Sequence, residues 1–215
     1  MIQRGLSLMC QTDVWIYRFL ISYLLLYTMY SIDKGGECMS MNNVTEIAVF
    51  AGGCFWCLEA VFSMFEGILS IVPGYTGGHL KNPSYEEVCT GETDHAEAIK
   101  ITFNPSSISY RKLLEVFFTA HDPTSYHRQG ADIGSQYRSA IFFTSPSQEN
   151  EIQDYLEDIK INKIYEKPIV TEILPLDTFY EAEKYHHNYF EKNPHKAYCQ
   201  MAIRPKVTTV KKLFR

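Results

Sequence analysis

Residues 46–62, EIAVFAGGCFWCLEAVF, change their hydrophobic period at a pair of glycines, and that change decides the fold. Ile47 to Ala51 form a short apolar run, the length of a buried strand, which Gly52 and Gly53 end. Beyond them Phe55, Leu58, Val61, Phe62 and Phe65 recur at three- and four-residue spacing, which predicts a helix, with Gly67 placed as its left-handed C-terminal cap. The turn puts Cys54 at the helix start, where free backbone N–H groups and the helix dipole favour negative charge. Cys54 is therefore the candidate nucleophile, expected to ionise below the ordinary thiol range of about 8.5. The same position also suits a small buried apolar residue. Cys57 leaves two readings open: a thiol able to resolve a sulfenic acid on Cys54, or a buried neighbour on the helix.

Outward from this unit, Ile68 to Tyr75 reads as a returning strand. The glycine- and proline-rich stretch GYTGGHLKNPSYEEVCTGETDH follows and is expected to be a long connection without regular structure. Further strands are predicted at His95–Phe103, Tyr137–Thr144 and Ile169–Leu174. Further helices are predicted from about Ser109 to Ala120, after the Ser145-Pro146-x-Gln148 start signal, and from Phe179 to about Glu191. Interleaved strands and helices imply an α+β, two-layer α/β sandwich with a ferredoxin-like core of mixed sheet. No internal repeat or low-complexity tract is present.

The whole chain of 215 residues, 46% hydrophobic and 21% charged, suits one domain with an extension. A formal net charge of −5 excludes a broad basic field, and with it sequence-independent binding of nucleic acid. Six cysteines are too few and too irregularly spaced for a disulfide scaffold, and Cys54-x2-Cys57 has no second CxxC or His-x3-His pair to complete a zinc site. Residues 1–45 read as an N-terminal extension and residues 46–215 as the catalytic domain. Within the extension, Phe19–Ile32 is almost uncharged and follows Arg4 and Arg18, as in a signal or anchor. It is shorter than the roughly 18 residues needed to span a bilayer, and no alanine precedes Ala48 to form a cleavage site. A lipoprotein cysteine is disfavoured by Glu37 before Cys38. A start of translation at Met39 or Met41 is the preferred reading, placing the protein in the cytoplasm; a membrane-anchored or exported form is the alternative.

In DHAEAIKITF, strand alternation puts Glu97 on the same face as Ile99, Ile101 and Phe103. A carboxyl group held among apolar side chains keeps its proton to higher pH and becomes a candidate proton donor. The competing reading is a strand-end carboxylate that reaches solvent.

The strings GGCFWCLEAVF, GYTGGHLKNPSYEEVCTGETDHAEAI, HDPTSYHRQGADIGSQYRSAIFF and FYEAEKYHHNYFEKNP, in this order across about residues 46–205, resemble peptide methionine sulfoxide reductases of the A class. The resemblance implies that Cys54 attacks the sulfoxide sulfur of the S epimer while Glu97 protonates the oxygen. It places Phe55 and Trp56 around the substrate methyl group, Tyr85 and Tyr137 on the sulfoxide oxygen, and Asp132 near the substrate. Ile133 departs from the histidine common in relatives. The sulfenic acid left on Cys54 is resolved preferentially by Cys199, on a C-terminal tail expected to be mobile, with Cys57 as an alternative or a relay partner; Cys89 is expected to pack. The resulting disulfide is re-reduced by an external thiol, thioredoxin, with no bound cofactor or metal. Oxidised proteins and peptides are the implied partners of a monomer. Two alternatives remain: a general CxxC thiol-disulfide oxidoreductase using Cys54 and Cys57, and a module that binds methionine-containing segments through Phe55 and Trp56.

Overall fold

The computed structural model describes residues 44–214. The run Phe19–Ile32, Cys10 and Cys38, and the expectations attached to them, lie outside those residues.

The opening strand β1 (Glu46–Gly52) passes through Gly53 and Cys54 into helix α1 (Phe55–Phe62), and β2 (Ile68–Thr76) returns. A short helix α2 (Tyr85–Cys89) precedes β3 (Ala96–Phe103), which is followed by α3 (Tyr110–Ala120), a small hairpin β4 (Arg128–Gln129) and β5 (Asp132–Ile133), and β6 (Ser139–Phe143). Helix α4 (Pro146–Ile161), β7 (Glu172–Pro175), β8 (Phe179–Glu181), α5 (Tyr189–Lys192) and α6 (Arg204–Phe214) complete the chain.

Six strands form one mixed sheet in the order β7-β6-β1-β3-β2-β8, in which only the β6–β7 pair is parallel. Because β1 and β2 are both antiparallel to the β3 between them, β1-α1-β2 is a split crossover. With β3, α3 and β6 it makes the expected ferredoxin-like core, extended by β7 at one edge and β8 at the other. Alternation divides the strands between two faces. Ala48, Phe50, Ile99, Ile101, Phe103 and Ile141 join α1, α3 and α6 in the main core. The opposite face carries Val49, Ala51, Ala96, Ala98, Ala140 and Phe142, with Leu176 and Phe179 packed over it. Phe50 stacks between Phe62 and Phe117, with ring centroids 5.7 and 4.9 Å away, and so ties β1 to both α1 and α3.

Several elements differ from the sequence reading. The supposed structureless connection contains α2, started by a complete capping box in which Ser84 Oγ accepts from Glu87 N and Glu87 accepts from Ser84 N. Helix α1 stops at Phe62, so Gly67, at φ +90°, turns the chain ahead of β2 rather than capping α1. Ser145 caps α4, but the Gln148 amide leaves the box to bind Thr144 N at 3.0 Å and Ile47 O at 2.8 Å. Strand β6 starts only at Ser139, because Ser135–Tyr137 is a single 3-10 turn, and β7 begins at Glu172 rather than Ile169. The helix predicted over 179–191 is absent: β8 pairs with β2, Lys184–His186 is a 3-10 turn, and α5 has a single turn. Its backbone donors find tertiary acceptors instead, Ala182 N on Pro73 O and Asn188 N on Glu59, with Asn188 at φ +52°. The expected mobile tail is a π-helical turn, Cys199–Ile203, continuing into α6, which packs on α1 and α3.

Candidate active site

Gly53 sits at φ +85°, and a Cβ there would lie 2.6 Å from Gln129 Cγ. Gln129 is itself fixed, because its amide binds both Asp122 N and Asp122 O, at 3.1 and 2.6 Å. Glycine is thus required twice, by conformation and by space, and the turn delivers Cys54 as the N-terminal cap residue of α1. Cys54 is 5% exposed and accepts the Cys57 backbone N–H at 3.0 Å through its carbonyl. The two thiols hydrogen-bond to each other.

The electrostatics of this pair correct one expectation. Burial raises the Cys54 thiol well above its ordinary value, and the Cys57 hydrogen bond and the nearby Glu97 push the same way. The first free N–H of α1, from Phe55, goes to Glu97 Oε2 at 3.1 Å and not to the Cys54 sulfur. Cys57 moves downward instead, chiefly through the hydrogen bond from Cys54. Glu97 is 1% exposed on the core face of β3, as alternation requires, and burial lifts its carboxyl to about 8 against the pull of the Phe55 N–H. It therefore carries a proton at neutral pH.

Around these groups stands an aromatic wall. Phe55 is fully buried, with its ring 5.9 Å from Tyr75 and 5.0 Å from His186. Trp56 stacks on Tyr189 at 3.6 Å and 6°, meets Tyr198 edge-on at 5.9 Å, and donates its indole N–H to His186 Nδ1 at 3.1 Å. That donor requires a lone pair on Nδ1, so the neutral His186, lowered by burial, holds its proton on Nε2, 3.7 Å from Glu183. Burial pushes the Tyr85 and Tyr137 phenols up, and Glu97 adds to this once it ionises, so both are hydrogen-bond donors at any ordinary pH.

Asp132, on β5, accepts the Tyr198 hydroxyl at 2.7 Å, and Tyr198 stands within hydrogen-bond reach of both Cys54 and Cys57. Ile133 is 66% exposed, so Asp132 is supported by Tyr198 rather than by its chain neighbour. Cys199 is completely buried, and Cys57 helps burial to raise its thiol. Cys89, expected to pack, is exposed, and the Tyr85 hydroxyl hydrogen-bonds to it.

The fold thus gathers Cys54, Cys57, Glu97, Phe55, Trp56, Tyr85, Asp132 and Tyr137 at one end of the sheet, with Cys199 buried within the electrostatic reach of Cys57. The residue-level reading missed Tyr198, Tyr189, His186, Glu183 and Glu59. Glu183 accepts Tyr75 Oη and Tyr85 N at 2.9 and 3.0 Å, while Glu59 accepts Asn188 N and Tyr189 N at 2.8 and 3.3 Å. The one available signal was Glu59 itself, a carboxylate on the apolar side of a short helix. Among the described residues no group of three His, Cys, Asp or Glu side chains is arranged to hold a metal ion.

The sequence pattern of the family described as peptide methionine sulfoxide reductase matches residues 46–215. The chain belongs to this family. A peptide methionine sulfoxide reductase MsrA of Sulfolobus acidocaldarius is 50% identical over 173 residues, 79% of this chain and 95% of that protein. One from Granulibacter bethesdensis is 51% identical over 167 residues, 78% and 90% of the two chains. Among solved structures, reduced Mxr1 of Saccharomyces cerevisiae superposes with a TM-score of 0.67 at 35% identity, covering 72% of this chain and 89% of that one. Methionine sulfoxide reductase A of Corynebacterium diphtheriae gives 0.64 at 33% identity, with 73% and 78% covered.

Proposed function

We propose that this chain reduces the S epimer of methionine sulfoxide, free or in peptides and proteins, to methionine, with Cys54 as nucleophile and Glu97 as proton donor. The observation that carries the proposal is the neutral, buried Glu97 carboxyl held on the Phe55 N–H next to Cys54. Glu97 gives its proton to the sulfoxide oxygen, which makes the sulfur electrophilic, and the carboxylate so formed takes the proton of the attacking Cys54 thiol. The oxygen passes to Cys54 as a sulfenic acid, methionine leaves, and Glu97 ends protonated as it began. Tyr85 and Tyr137 donate to the oxygen as it gains charge. Phe55 and Trp56 receive the methyl group. Oxygen donors, a methyl pocket and a nucleophile in three directions distinguish the two epimers.

The sulfenic acid then condenses with a second thiol to form a disulfide and water. Cys57 is in contact with Cys54, whereas Cys199 senses Cys57 and not Cys54, which supports Cys57 as the first resolving thiol and Cys199 as a relay partner, the reverse of the preference read from the sequence. An external dithiol, thioredoxin, completes the cycle, with no bound cofactor. Residues 46–215 are taken as the catalytic domain of a cytoplasmic monomer that acts on oxidised proteins and peptides, and residues 1–45 as an extension. Among the described residues no helix is long and apolar enough to cross a membrane.

The test is to incubate the protein and its Cys54→Ser variant with each epimer of a blocked methionine sulfoxide and dithiothreitol, and to measure methionine. Conversion of the S epimer alone, lost on substitution, is expected. A folded protein that converts neither epimer would overturn the proposal and favour the general CxxC oxidoreductase.

A further inference from the structure

We propose that Glu183 is a positioning residue for the reduction: a single carboxylate that fixes the oxygen donor Tyr85 and the methyl-pocket ring of Trp56 relative to each other. This inference rests on the reductase reading above and adds to it a residue that touches none of the reacting atoms.

The backbone around Glu183 is tied down on both sides. Strand β8 pairs with β2, Ala182 N bonds to Pro73 O at 2.9 Å, and His186 N returns to Glu183 O at 2.9 Å to close a 3-10 turn. From there the side chain meets three segments. Oε1 accepts the Tyr85 N–H at 3.0 Å, a donor that the Ser84 capping box leaves over, because the Ser84 hydroxyl takes Glu87 N. Oε2 accepts the hydroxyl of Tyr75, a fully buried side chain of β2, at 2.9 Å. The same oxygen lies 3.7 Å from Nε2 of His186, a buried nitrogen with no hydrogen-bond partner among the described residues.

His186 carries the connection on to Trp56. Its Nδ1 accepts the indole N–H at 3.1 Å, so the proton of the neutral ring is on Nε2 and faces Glu183. The imidazole also lies between the two groups that matter, with its centroid 4.6 Å from the Tyr85 ring and 5.5 Å from Trp56. Three donors therefore converge on Glu183, and a carboxylate, which only accepts, meets all of them. Burial alone would raise this carboxyl, but its hydrogen bonds, that from Tyr85 N–H first, outweigh burial and hold it below its ordinary value. An amide of the same length would keep one acceptor and turn an NH₂ group toward at least one of these donors, which leaves that arm unpaired. The sulfoxide needs its oxygen on the phenol and its methyl group on the indole at the same time, so a shift of either arm loosens the fit at both ends. Glu59, by contrast, reaches only Asn188 and Tyr189 and so touches one wall.

The test is a pair of double-mutant cycles in the full-length protein, with methionine release from the S epimer of a blocked sulfoxide read as kcat/KM. Glu183→Gln is expected to lower kcat/KM about tenfold in the parent, but only about threefold where Trp56→Phe or Tyr85→Phe has already removed one of the two groups it positions. With Trp15→Phe leaving Trp56 as the only tryptophan, Glu183→Gln is also expected to shift the indole emission. Should Glu183→Gln not fold, Tyr75→Phe, which removes one of the donors that hold the carboxylate, takes its place, with a loss of about threefold that again shrinks in both backgrounds. An equal loss in all three backgrounds would make Glu183 merely structural. A loss coupled to Trp56 alone or to Tyr85 alone would overturn the joint role, while methionine release by the parent still upheld the reductase. Absence of methionine from the parent protein would overturn both readings together.

Discussion

The glycine turn before α1 and the stretch from β8 to α6 meet at the same sulfur, yet they are held in opposite ways. Gly52, Gly53 and Cys54 take their shape from conformation and close packing: a left-handed glycine, a neighbour 2.6 Å from its absent Cβ, and a helix that begins one residue later. The later stretch has almost no regular structure between Glu181 and Cys199 and is held by carboxylates from elsewhere in the chain. Glu59 caps the backbone at Asn188 and Tyr189, and so presents Tyr189 to the Trp56 ring. Glu183 in turn ties Tyr75 to Tyr85. A nucleophile can thus be aimed by local geometry, whereas the wall of its pocket depends on buried polar contacts, each of which is costly to leave unmade.

The comparison is broken most severely at the group that joins the turn to the sheet. Glu97→Gln keeps the acceptor for Phe55 N–H but removes the proton donor, so kcat is expected to fall roughly 10²- to 10⁴-fold with little change in folding. The wild-type rate should decline as pH rises through about 8, where Glu97 loses its proton. The sign for stability is the same. Glu97 binds its proton more tightly folded than unfolded, so its contribution is complete at acid pH and is lost as pH rises through the folded value. Melting temperatures of Glu97→Gln should show a flatter decline toward alkaline pH than those of the wild type.

Next in size, Gly53→Ala forces a Cβ into Gln129 and a non-glycine residue into φ +85°. A loss of about 2–3 kcal/mol is expected in urea denaturation, with activity lost even in the folded fraction. Glu59→Gln probes the other region. It leaves two part-buried backbone donors weakly paired, at a cost of about 1 kcal/mol. Because Tyr189 would shift against Trp56, tryptophan fluorescence and KM should change more than kcat. If Glu59→Gln lowered kcat alone, the division between an aimed nucleophile and a separately held wall would fail. The smallest effect is expected at Ile133→His: Asp132 already accepts the Tyr198 hydroxyl, so activity should stay within about threefold, since exposed substitutions are worth little.

How far the sequence could be read follows the same division. Strand-turn-helix periodicity located β1, α1, β2, β3 and α3 and the ferredoxin-like arrangement, because each of these elements buries a face whose spacing is written locally. Glu97 was found by alternation for the same reason. The segment 179–191 misled, because its apolar spacing suits a helix while its backbone donors are claimed by Pro73 and Glu59. The ionisation of Cys54 misled too, because the helix N–H expected to favour a thiolate is taken by a carboxyl 42 residues away.

The sequence by itself determined the family, the cysteine at the helix start, the carboxyl on the core face of β3 and the order of the core elements, since these depend on residue type and short-range period. Only the tertiary structure decided which donor meets which acceptor. Glu97 takes the Phe55 N–H, Tyr198 rather than residue 133 supports Asp132, and Cys199 lies buried in a helical turn in place of the expected mobile tail. Those outcomes depend on desolvation and on contacts between distant segments, and neither has a period along the chain.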